Sequence, residues 1–289
     1  MATHFNVKED CQLLEFLMEC FPQNSRNSVK KMLEQGRIYA NGVATTQFNL
    51  ALKAGDLVSL GKTDLRPKLN NPMLSLVYED QDIIVVNKKS GLLTVATEKG
   101  EEETAYRILR EYVKSADPGQ KIFIVHRIDK ETSGLLLFAK NEEAKKKLQV
   151  SWDKCVKERE YIAVVEGNIS KKKGTIRLHL LEQNNLLVKV VDEPMGLASI
   201  THYNVLKTNG QFTMLSLQLE TGRKHQIRAH LSAIGHPVVG DRKYGARPSP
   251  IKRMALHAHS LVFEHPVTGK TLRFSSPVPK KFYTLTDMK

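Results

Sequence analysis

The first candidate for chemistry is a short polar segment between two apolar stretches. In HRIDKETSG, residues 126–134, the carboxylate of Asp129 is flanked by Arg127 and Lys130. The apolar runs IFIV and SGLLLFAK predict two strands that hold this loop at a sheet end, where a carboxylate can act as nucleophile or base. An aspartate in a turn more often bonds its own backbone, so this segment alone leaves both interpretations open.

A second candidate is the segment LETGRKHQIRAHLSAIG, residues 219–235, which predicts a helix that Thr221 and Gly222 can cap. Its predicted buried stripe consists of Ile227, Leu231 and Ile234. Arg228 lies beside that stripe, where a guanidinium is costly unless a carboxylate meets it. We therefore expect an acidic partner from elsewhere in the fold, and Asp129 is a candidate. An ordinary structural ion pair is the alternative.

The third candidate is a tyrosine in KEREYIAVVEG, residues 157–167. The apolar run predicts a central strand, with Tyr161 at its charged entrance. A tyrosine at the mouth of a cleft can stack on a nucleobase or use its hydroxyl for proton transfer. More commonly such a residue belongs to the core, and its position in the sequence does not decide between these uses.

Six histidines fall in the last third of the chain: His225, His230, His236, His257, His259 and His265. His257 and His259 share one face of a predicted strand, but no H-E-x-x-H motif or carboxylate triad accompanies them. We expect no metal site. The glycine-rich motifs that bind nucleotide phosphates do not occur either.

These residues need a scaffold, and the apolar patterns predict a mainly antiparallel sheet with a few helices, an α+β fold. Predicted helices cover residues 101–115, 141–154 and 222–235. Residues 9–60 form a smaller module with two helices and a hairpin that turns at Asn41–Gly42. A polar stretch with two prolines, residues 61–72, reads as a linker. We predict two domains, 1–65 and 66–289.

The composition narrows the class of partner. The chain has 44 Lys+Arg and 31 Asp+Glu, a net charge of +13, which favours a polyanion such as RNA, DNA or a membrane surface. No run approaches the ~18 apolar residues of a spanning helix, and the first residues do not resemble a signal peptide. Three scattered cysteines indicate reduced thiols. We expect a cytoplasmic location and no membrane partner.

Taken together, six collinear segments resemble the RluA class of pseudouridine synthases. The segments are DIIVVNKKSGLLT, HRIDKETSGLLLFAK, KEREYIAVVEG, ITHYNVL, LETGRKHQIRAHL with GHPVVGDRKYG, and LHAHSLVFEHPVTGKTLRFSSPVP. The resemblance implies a catalytic domain of pseudouridine synthase type that needs no cofactor. It implies that Asp129 is the catalytic aspartate, that Tyr161 stacks on the target base and that Arg228 pairs with Asp129. Arg127 is expected to insert where the flipped nucleotide leaves the RNA stack, and His126 and Arg223 are expected to contact RNA.

The N-terminal module resembles the small RNA-binding domain named after ribosomal protein S-four, chiefly in NSRNSVKKMLEQGRIYANG. Residues 1–70 contain nine Lys+Arg and seven Asp+Glu, a net charge of +2, so the remaining +11 lies on the larger domain. Lys30, Lys31 and Arg37 cluster around one predicted helix and are candidate RNA contacts. A solvated helix face is the alternative.

The expected reaction breaks the N1–C1′ bond of uridine and reattaches the base through C5. Asp129 would attack C1′, remove a sugar proton or add to the base, and the sequence does not separate these routes. Ribosomal RNA is the favoured substrate and transfer RNA is possible, with a monomer as the acting form. Two other functions stay open: a non-catalytic RNA-binding protein and a metal-dependent nuclease.

Overall fold

The computed structural model describes residues 3–61, 69–96, 100, 102–150, 152–183 and 187–287. The chain divides into two compact units, Met1–Lys68 and Leu69–Lys289. The predicted boundary between residues 65 and 66 lies in segment 62–68, outside the described residues. Among the helices of the described ranges, none has the length and hydropathy needed to span a bilayer.

The N-terminal unit contains two helices and six short strands within residues 3–61. The helices are α1 (Leu13–Cys20) and α2 (Arg26–Glu34). The strands are β1 (Thr3–Asn6), β2 (Cys11–Gln12), β3 (Ile38–Ala40), β4 (Val43–Thr45), β5 (Ala51–Leu52) and β6 (Leu57–Leu60). An antiparallel sheet has the order β1-β6-β3-β4, while β2 pairs with β5.

Local sequence explains the main features of this unit. Ser25 caps α2 by accepting a hydrogen bond from the backbone N–H of Ser28 at 3.2 Å. Asn41 and Gly42 have φ of 50° and 78°, the left-handed values that a two-residue hairpin turn requires. Apolar residues of both helices and of β3 and β6 form one core. The predicted helices and turn are present, whereas β1 and β4 were not predicted.

The larger unit carries the remaining elements. Its helices are α3 (Ala105–Ala116), α4 (Glu142–Val150), α5 (Trp152–Cys155), α6 (Gln226–Ala233) and α7 (Lys280–Asp287), with a 3₁₀ turn at Arg242–Tyr244. Its strands are β7 (Leu74–Glu79), β8 (Ile83–Lys88), β9 (Phe123–Ile124), β10 (Ser133–Ala139), β11 (Val156–Glu166), β12 (Lys173–Glu182), β13 (Val188–Val191), β14 (Leu197–Thr208), β15 (Phe212–Leu219), β16 (Leu256–Glu264) and β17 (Thr271–Ser275).

These strands form one sheet with the order β13-β12-β14-β15-β11-β16-β10-β8-β7, to which β17 adds beside β16 and β9 beside β10. Within the described residues, every pairing between these strands is antiparallel except β10–β16. The predicted α+β class with a mainly antiparallel sheet is therefore confirmed.

The parallel contact between β10 and β16 lies where the Asp129 loop enters the sheet. It is short, joining Ser133 to His257 and Gly134 to Ala258. Gly134 has a φ of 113°, and a Cβ on it would lie 2.1 Å from the carbonyl oxygen of Ala258. Because only glycine tolerates both the backbone angle and the close approach, this residue fixes the path by which the loop reaches the sheet.

Several local predictions were wrong. The strand expected before the loop is only Phe123–Ile124, and β11 begins at Val156, which puts Tyr161 in the middle of the strand instead of at its entrance. Helix α6 begins at Gln226 with His225 as its N-cap residue, and the hydroxyl of Thr221 accepts the N–H of Ile200 instead of capping the helix. Ile234 is 38% exposed, since α6 has ended at Ala233. Helix α7 was not predicted.

Candidate active site

The loop that carries Asp129 is fixed by the segment at residues 88–94. The carbonyl of Ile128 accepts a hydrogen bond from Thr94 Oγ1 at 2.8 Å, and the carbonyl of Glu131 accepts one from Ser90 Oγ at 2.7 Å. Between them, the carbonyl of Lys130 accepts the N–H of Gly91 at 2.8 Å. Three loop carbonyls on the two sides of Asp129 are thus held by one neighbouring segment, which restricts the position of the carboxylate.

Lys88 reinforces this loop from the core. The side chain is fully buried, and its Nζ donates to the carbonyl oxygens of Lys89, Leu92 and Lys130 at 3.1, 2.8 and 3.1 Å. Burial lowers the pKa of Lys88 to about 7, and the nearby charges of Glu131 and Asp129 oppose that shift. The three carbonyls match the three N–H donors of an ammonium group.

The far end of the loop is held by a chain of buried polar groups. Arg253 Nη2 donates to Ser133 Oγ at 2.7 Å, and the hydroxyl of Ser133 lies 2.8 Å from His257 Nδ1. His257 Nε2 donates to the carbonyl of Ser276. Since that bond places the ring proton on Nε2, Nδ1 is the acceptor for Ser133. Burial lowers the pKa of His257 to about 4.

Arg228 stands between two carboxylates. Its Nη1 donates to Asp129 Oδ2 at 3.0 Å, while Nε and Nη2 donate to the two oxygens of Asp241 at 2.5 and 2.8 Å. The Arg228 side chain is 8% exposed and that of Asp129 is 25% exposed. Burial disfavours the guanidinium charge, but the hydrogen bonds and charges of the two aspartates raise the pKa of Arg228. The bidentate contact fixes Arg228, which in turn orients Asp129 toward the cleft.

Asp241 was not identified from the sequence, although GHPVVGDRKYG contains it. It lies 3% exposed before the 3₁₀ turn Arg242–Tyr244. The signal was available in the chemistry of arginine, because five N–H donors on a buried guanidinium require more acceptors than a single carboxylate supplies. The expected Asp129–Arg228 contact is present in the geometry.

The residue that precedes α6 has an unusual backbone. His225 has a φ of 52°, the left-handed region that a residue with a side chain rarely adopts. Its Nδ1 lies 3.0 Å from the hydroxyl of Tyr244, and its Nε2 lies 3.9 Å from Asp129 Oδ1. Burial lowers the pKa of His225, against the opposing effect of Asp129. The imidazole therefore forms the second polar wall beside the Asp129 carboxylate.

Tyr161 lines a small cleft of about 70 Å³ together with Asp129. Burial raises the pKa of the Tyr161 phenol, so the hydroxyl is neutral near pH 7. Its ring packs against apolar residues of two cores. The cleft thus combines a carboxylate, an arginine and an aromatic face, which suits a planar ligand that needs a fixed nucleophile or base.

The residues expected to contact RNA differ in their surroundings. Arg127 is exposed and borders this small cleft as well as two larger ones beside it. Arg223 is also exposed and borders two of them. His126 is held by the fold instead: its Nε2 accepts the N–H of Leu137 at 2.9 Å, and its ring packs on Trp152 at 4.8 Å. Burial lowers the pKa of His126 to about 3.

The three candidates in the N-terminal unit surround α2. Lys30 and Lys31 are exposed, and Arg37 is half-buried just after the helix. Lys30 Nζ lies 5.6 Å from the ring centre of Phe48, a residue that is itself 53% exposed. These cations and the aromatic ring give this unit a small surface suited to a polyanion.

The histidines considered for metal binding make other bonds. His257 and His259 both donate to the carbonyl of Ser276. Within the described part of the chain, one group of side chains is close enough to share an ion: Asp80, Asp82 and His265. His265 Nδ1 accepts the N–H groups of Val267 and Thr268, so its proton lies on Nε2, which donates to Asp80 at 3.0 Å. A protonated ring nitrogen offers no lone pair to a cation.

Comparison with known proteins agrees with the geometry. The family profile described as RNA pseudouridylate synthase matches residues 82–233, the range that contains Asp129, Tyr161 and Arg228. The chain belongs to this family. It is 33% identical over 291 residues to the ribosomal large subunit pseudouridine synthase D of Haemophilus influenzae, covering 95% of this chain and 90% of that protein. The Escherichia coli protein of the same name is 32% identical over 294 residues, covering 96% and 90%.

Solved structures of this pseudouridylate synthase family share the fold. Human RNA pseudouridylate synthase domain containing 1 superposes with a TM-score of 0.56 at 28% identity, over 73% of this chain and 85% of the human chain. Human RNA pseudouridylate synthase domain containing 4 gives a TM-score of 0.60 at 21% identity, over 72% and 90%. The expectation of a pseudouridine synthase fold is therefore confirmed.

Proposed function

We propose that this member of the pseudouridylate synthase family converts uridines of large-subunit ribosomal RNA to pseudouridine, with Asp129 as the essential carboxylate. The observation that carries the assignment of Asp129 is its contact with Arg228, itself fixed by Asp241. Because Arg228 is itself fixed by Asp241, it holds the Asp129 carboxylate in a constant orientation. A carboxylate that reacts at one particular atom of the substrate requires such a fixed orientation.

The remaining residues have roles that follow from their positions. Tyr161 stacks on the target base, because it lines the same small cleft as Asp129. Arg127 lies at the junction of three clefts and fills the gap that the flipped nucleotide leaves in the RNA. Extruding a base costs a few kcal/mol, which stacking and phosphate contacts offset. Arg223 contributes to those contacts, whereas His126 acts by supporting the loop from within the fold.

The names of the relatives favour ribosomal RNA as the substrate, because they specify the ribosomal large subunit. The match covers about 90% of the length of each of these relatives. The strongly basic larger unit is suited to a structured RNA. Lys30, Lys31 and Arg37 of the N-terminal unit add affinity for the same RNA. We place the enzyme in the cytoplasm and expect a monomer, which light scattering of the purified chain tests.

Tritium release tests the reaction directly, because bond formation at C5 must expel the hydrogen of that carbon. The substrates are 5-tritiated transcripts of large-subunit ribosomal RNA and, in parallel, 5-tritiated transfer RNA. Wild type is compared under single-turnover conditions with Asp129→Asn and with Asp192→Asn, an exposed aspartate in the turn before β14. We expect release by wild type and Asp192→Asn, and none by Asp129→Asn.

The other outcomes separate the alternatives. Release from transfer RNA alone would correct the substrate and leave the role of Asp129 intact. Tight RNA binding without release by any variant would favour the non-catalytic RNA-binding protein. Equal release by Asp129→Asn and wild type would remove Asp129 from the chemistry.

A further inference from the structure

Three arginines border a cleft of about 410 Å³ beside the small cleft of Asp129, on the side of Tyr161. They are Arg127, Arg159 and Arg223. Among the described side chains, no carboxylate oxygen lies within 4 Å of any of these guanidinium groups. Glu220 also borders the cleft, but its carboxylate is bound to His202 Nε2 at 2.5 Å. The cleft therefore has an excess of positive charge, three arginines against one carboxylate.

Arg159 is half-buried and borders the cleft beside Trp152. Its guanidinium carbon lies 5.9 Å from the ring centre of Trp152, and its Nη2 lies 3.5 Å from the carbonyl of Glu220. Nη1 is so near Gly222 that a Cβ on that residue would lie 2.7 Å away. Trp152 in turn packs on the buried ring of His126. A guanidinium fixed this way loses less entropy when it binds an anion.

A larger cleft of about 700 Å³, which Asp129 also borders, is different. Its cations are mixed with the carboxylates of Asp129, Glu131 and Asp241. This mixture of charges, and not the number of arginines, distinguishes it from the cleft of Arg159. Arg127, Tyr161 and Arg223 border both the small cleft and the cleft of Arg159, so the two are continuous.

We propose that the cleft around Arg159 binds a phosphodiester of the RNA strand that flanks the target uridine. Arg159 and Arg223 would donate hydrogen bonds to the phosphate oxygens, for which the planar guanidinium is well matched. This site rests on the proposed function, because it names the part of the RNA substrate that lies next to the flipped base. Trp152 and His126 act as the packing that fixes Arg159.

The test compares Arg159→Gln with Arg110→Gln, which changes an exposed arginine on α3 away from the clefts. The dissociation constant for large-subunit ribosomal RNA transcripts is measured with the full chain at several KCl concentrations. Loss of one charged contact should weaken binding by Arg159→Gln about tenfold. The slope of log Kd against log salt should fall by about one. Arg110→Gln should behave as wild type.

Trp152 is the single tryptophan of the chain and provides a local signal. In wild type, RNA should change the fluorescence of Trp152, and the midpoint of that change should equal the midpoint of the binding curve. The fluorescence change should be absent in Arg159→Gln. Inorganic phosphate is titrated as a second probe and should act only at millimolar concentrations or above. If inorganic phosphate acts as efficiently as RNA, the cleft is a free-anion site and the RNA assignment is overturned.

Thermal unfolding checks that the variants fold. If Arg159→Gln does not fold, Arg159→Lys, which keeps the charge, replaces it in the binding measurements. Tritium release on the same samples separates the two proposals. If wild type releases tritium while Arg159→Gln binds with the affinity and salt slope of Arg110→Gln, the phosphate site is refuted and the reaction stands. If wild type releases none, the function fails, and the salt slope still decides whether the cleft holds a phosphate.

Discussion

The loop around Asp129 and helix α2 of the N-terminal unit both carry charged residues, but they hold them in opposite ways. In the loop, three carbonyls beside Asp129 accept hydrogen bonds from residues 88–94, and the ends are held by Leu137 and His257. On α2, Lys30 and Lys31 are exposed. Bond making at one carbon requires a carboxylate at a fixed position, whereas attraction to phosphates does not. We therefore expect substitutions in the two regions to differ in both size and kind.

The largest effect is expected for Arg228→Gln. Removing this guanidinium leaves Asp241 buried without its cation, so the free energy of unfolding should fall by about 3–5 kcal/mol. The reaction should be lost as well, because Asp129 loses its orienting contact. Urea unfolding and single-turnover tritium release measure the two effects. Arg228→Lys keeps the charge without the bidentate geometry, so its stability and activity should lie between those of wild type and Arg228→Gln. Full activity in Arg228→Gln would contradict the assigned role.

Lys88→Met should have the next largest effect, because the carbonyls of Lys89, Leu92 and Lys130 lose a shared donor. A displacement of the loop should reduce the single-turnover rate about 100-fold. RNA affinity should change little, since Lys88 is buried. The exposed neighbour supplies a matched control in Lys89→Met. Equal rates for the two variants would mean that Lys88 only stabilises the fold.

The loop should also respond to pH through His257. Its pKa is about 4 in the folded chain, below the usual 6.5, because the ring is buried. Between these values the unfolded chain binds a proton that the folded chain does not, so stability decreases as the pH falls from 6.5 toward 4. At pH 5 the loss should be about 2 kcal/mol. Urea unfolding of wild type and His257→Gln at pH 7 and 5 should show a smaller pH effect in the variant; identical pH effects would refute this.

The smallest effect is expected in the N-terminal unit. Replacing Lys30, Lys31 and Arg37 together by glutamine should weaken binding of ribosomal RNA several-fold, and the salt dependence should become shallower. The single-turnover rate at saturating RNA should match wild type, because the loop is unchanged. A reduced rate at saturation would show that this unit does more than add affinity, and would weaken the contrast between the two regions.

Much of this arrangement could be predicted from the sequence. The cost of an unpaired arginine on a packed helix made Asp129 a candidate partner of Arg228, 99 residues away, and the family resemblance implied the pair. Asp241 was missed because nothing local distinguishes an aspartate in a turn from one aimed at a buried guanidinium. His126 and His225 stand in equally recognisable motifs, but their surroundings differ. The ring of His126 bonds Leu137 and packs on Trp152, whereas the ring of His225 lies near Asp129.

The sequence by itself determined the α+β class and the family, and it supplied the candidates for the reactive groups, because each depends on residue type and on short-range patterns. Only the tertiary structure decided what surrounds each group. The support of the Asp129 loop by residues 88–94 and the position of Tyr161 within β11 depend on pairing between distant segments. So does the left-handed start of α6 at His225. Such pairing is set by packing across the sheet, which local sequence does not encode.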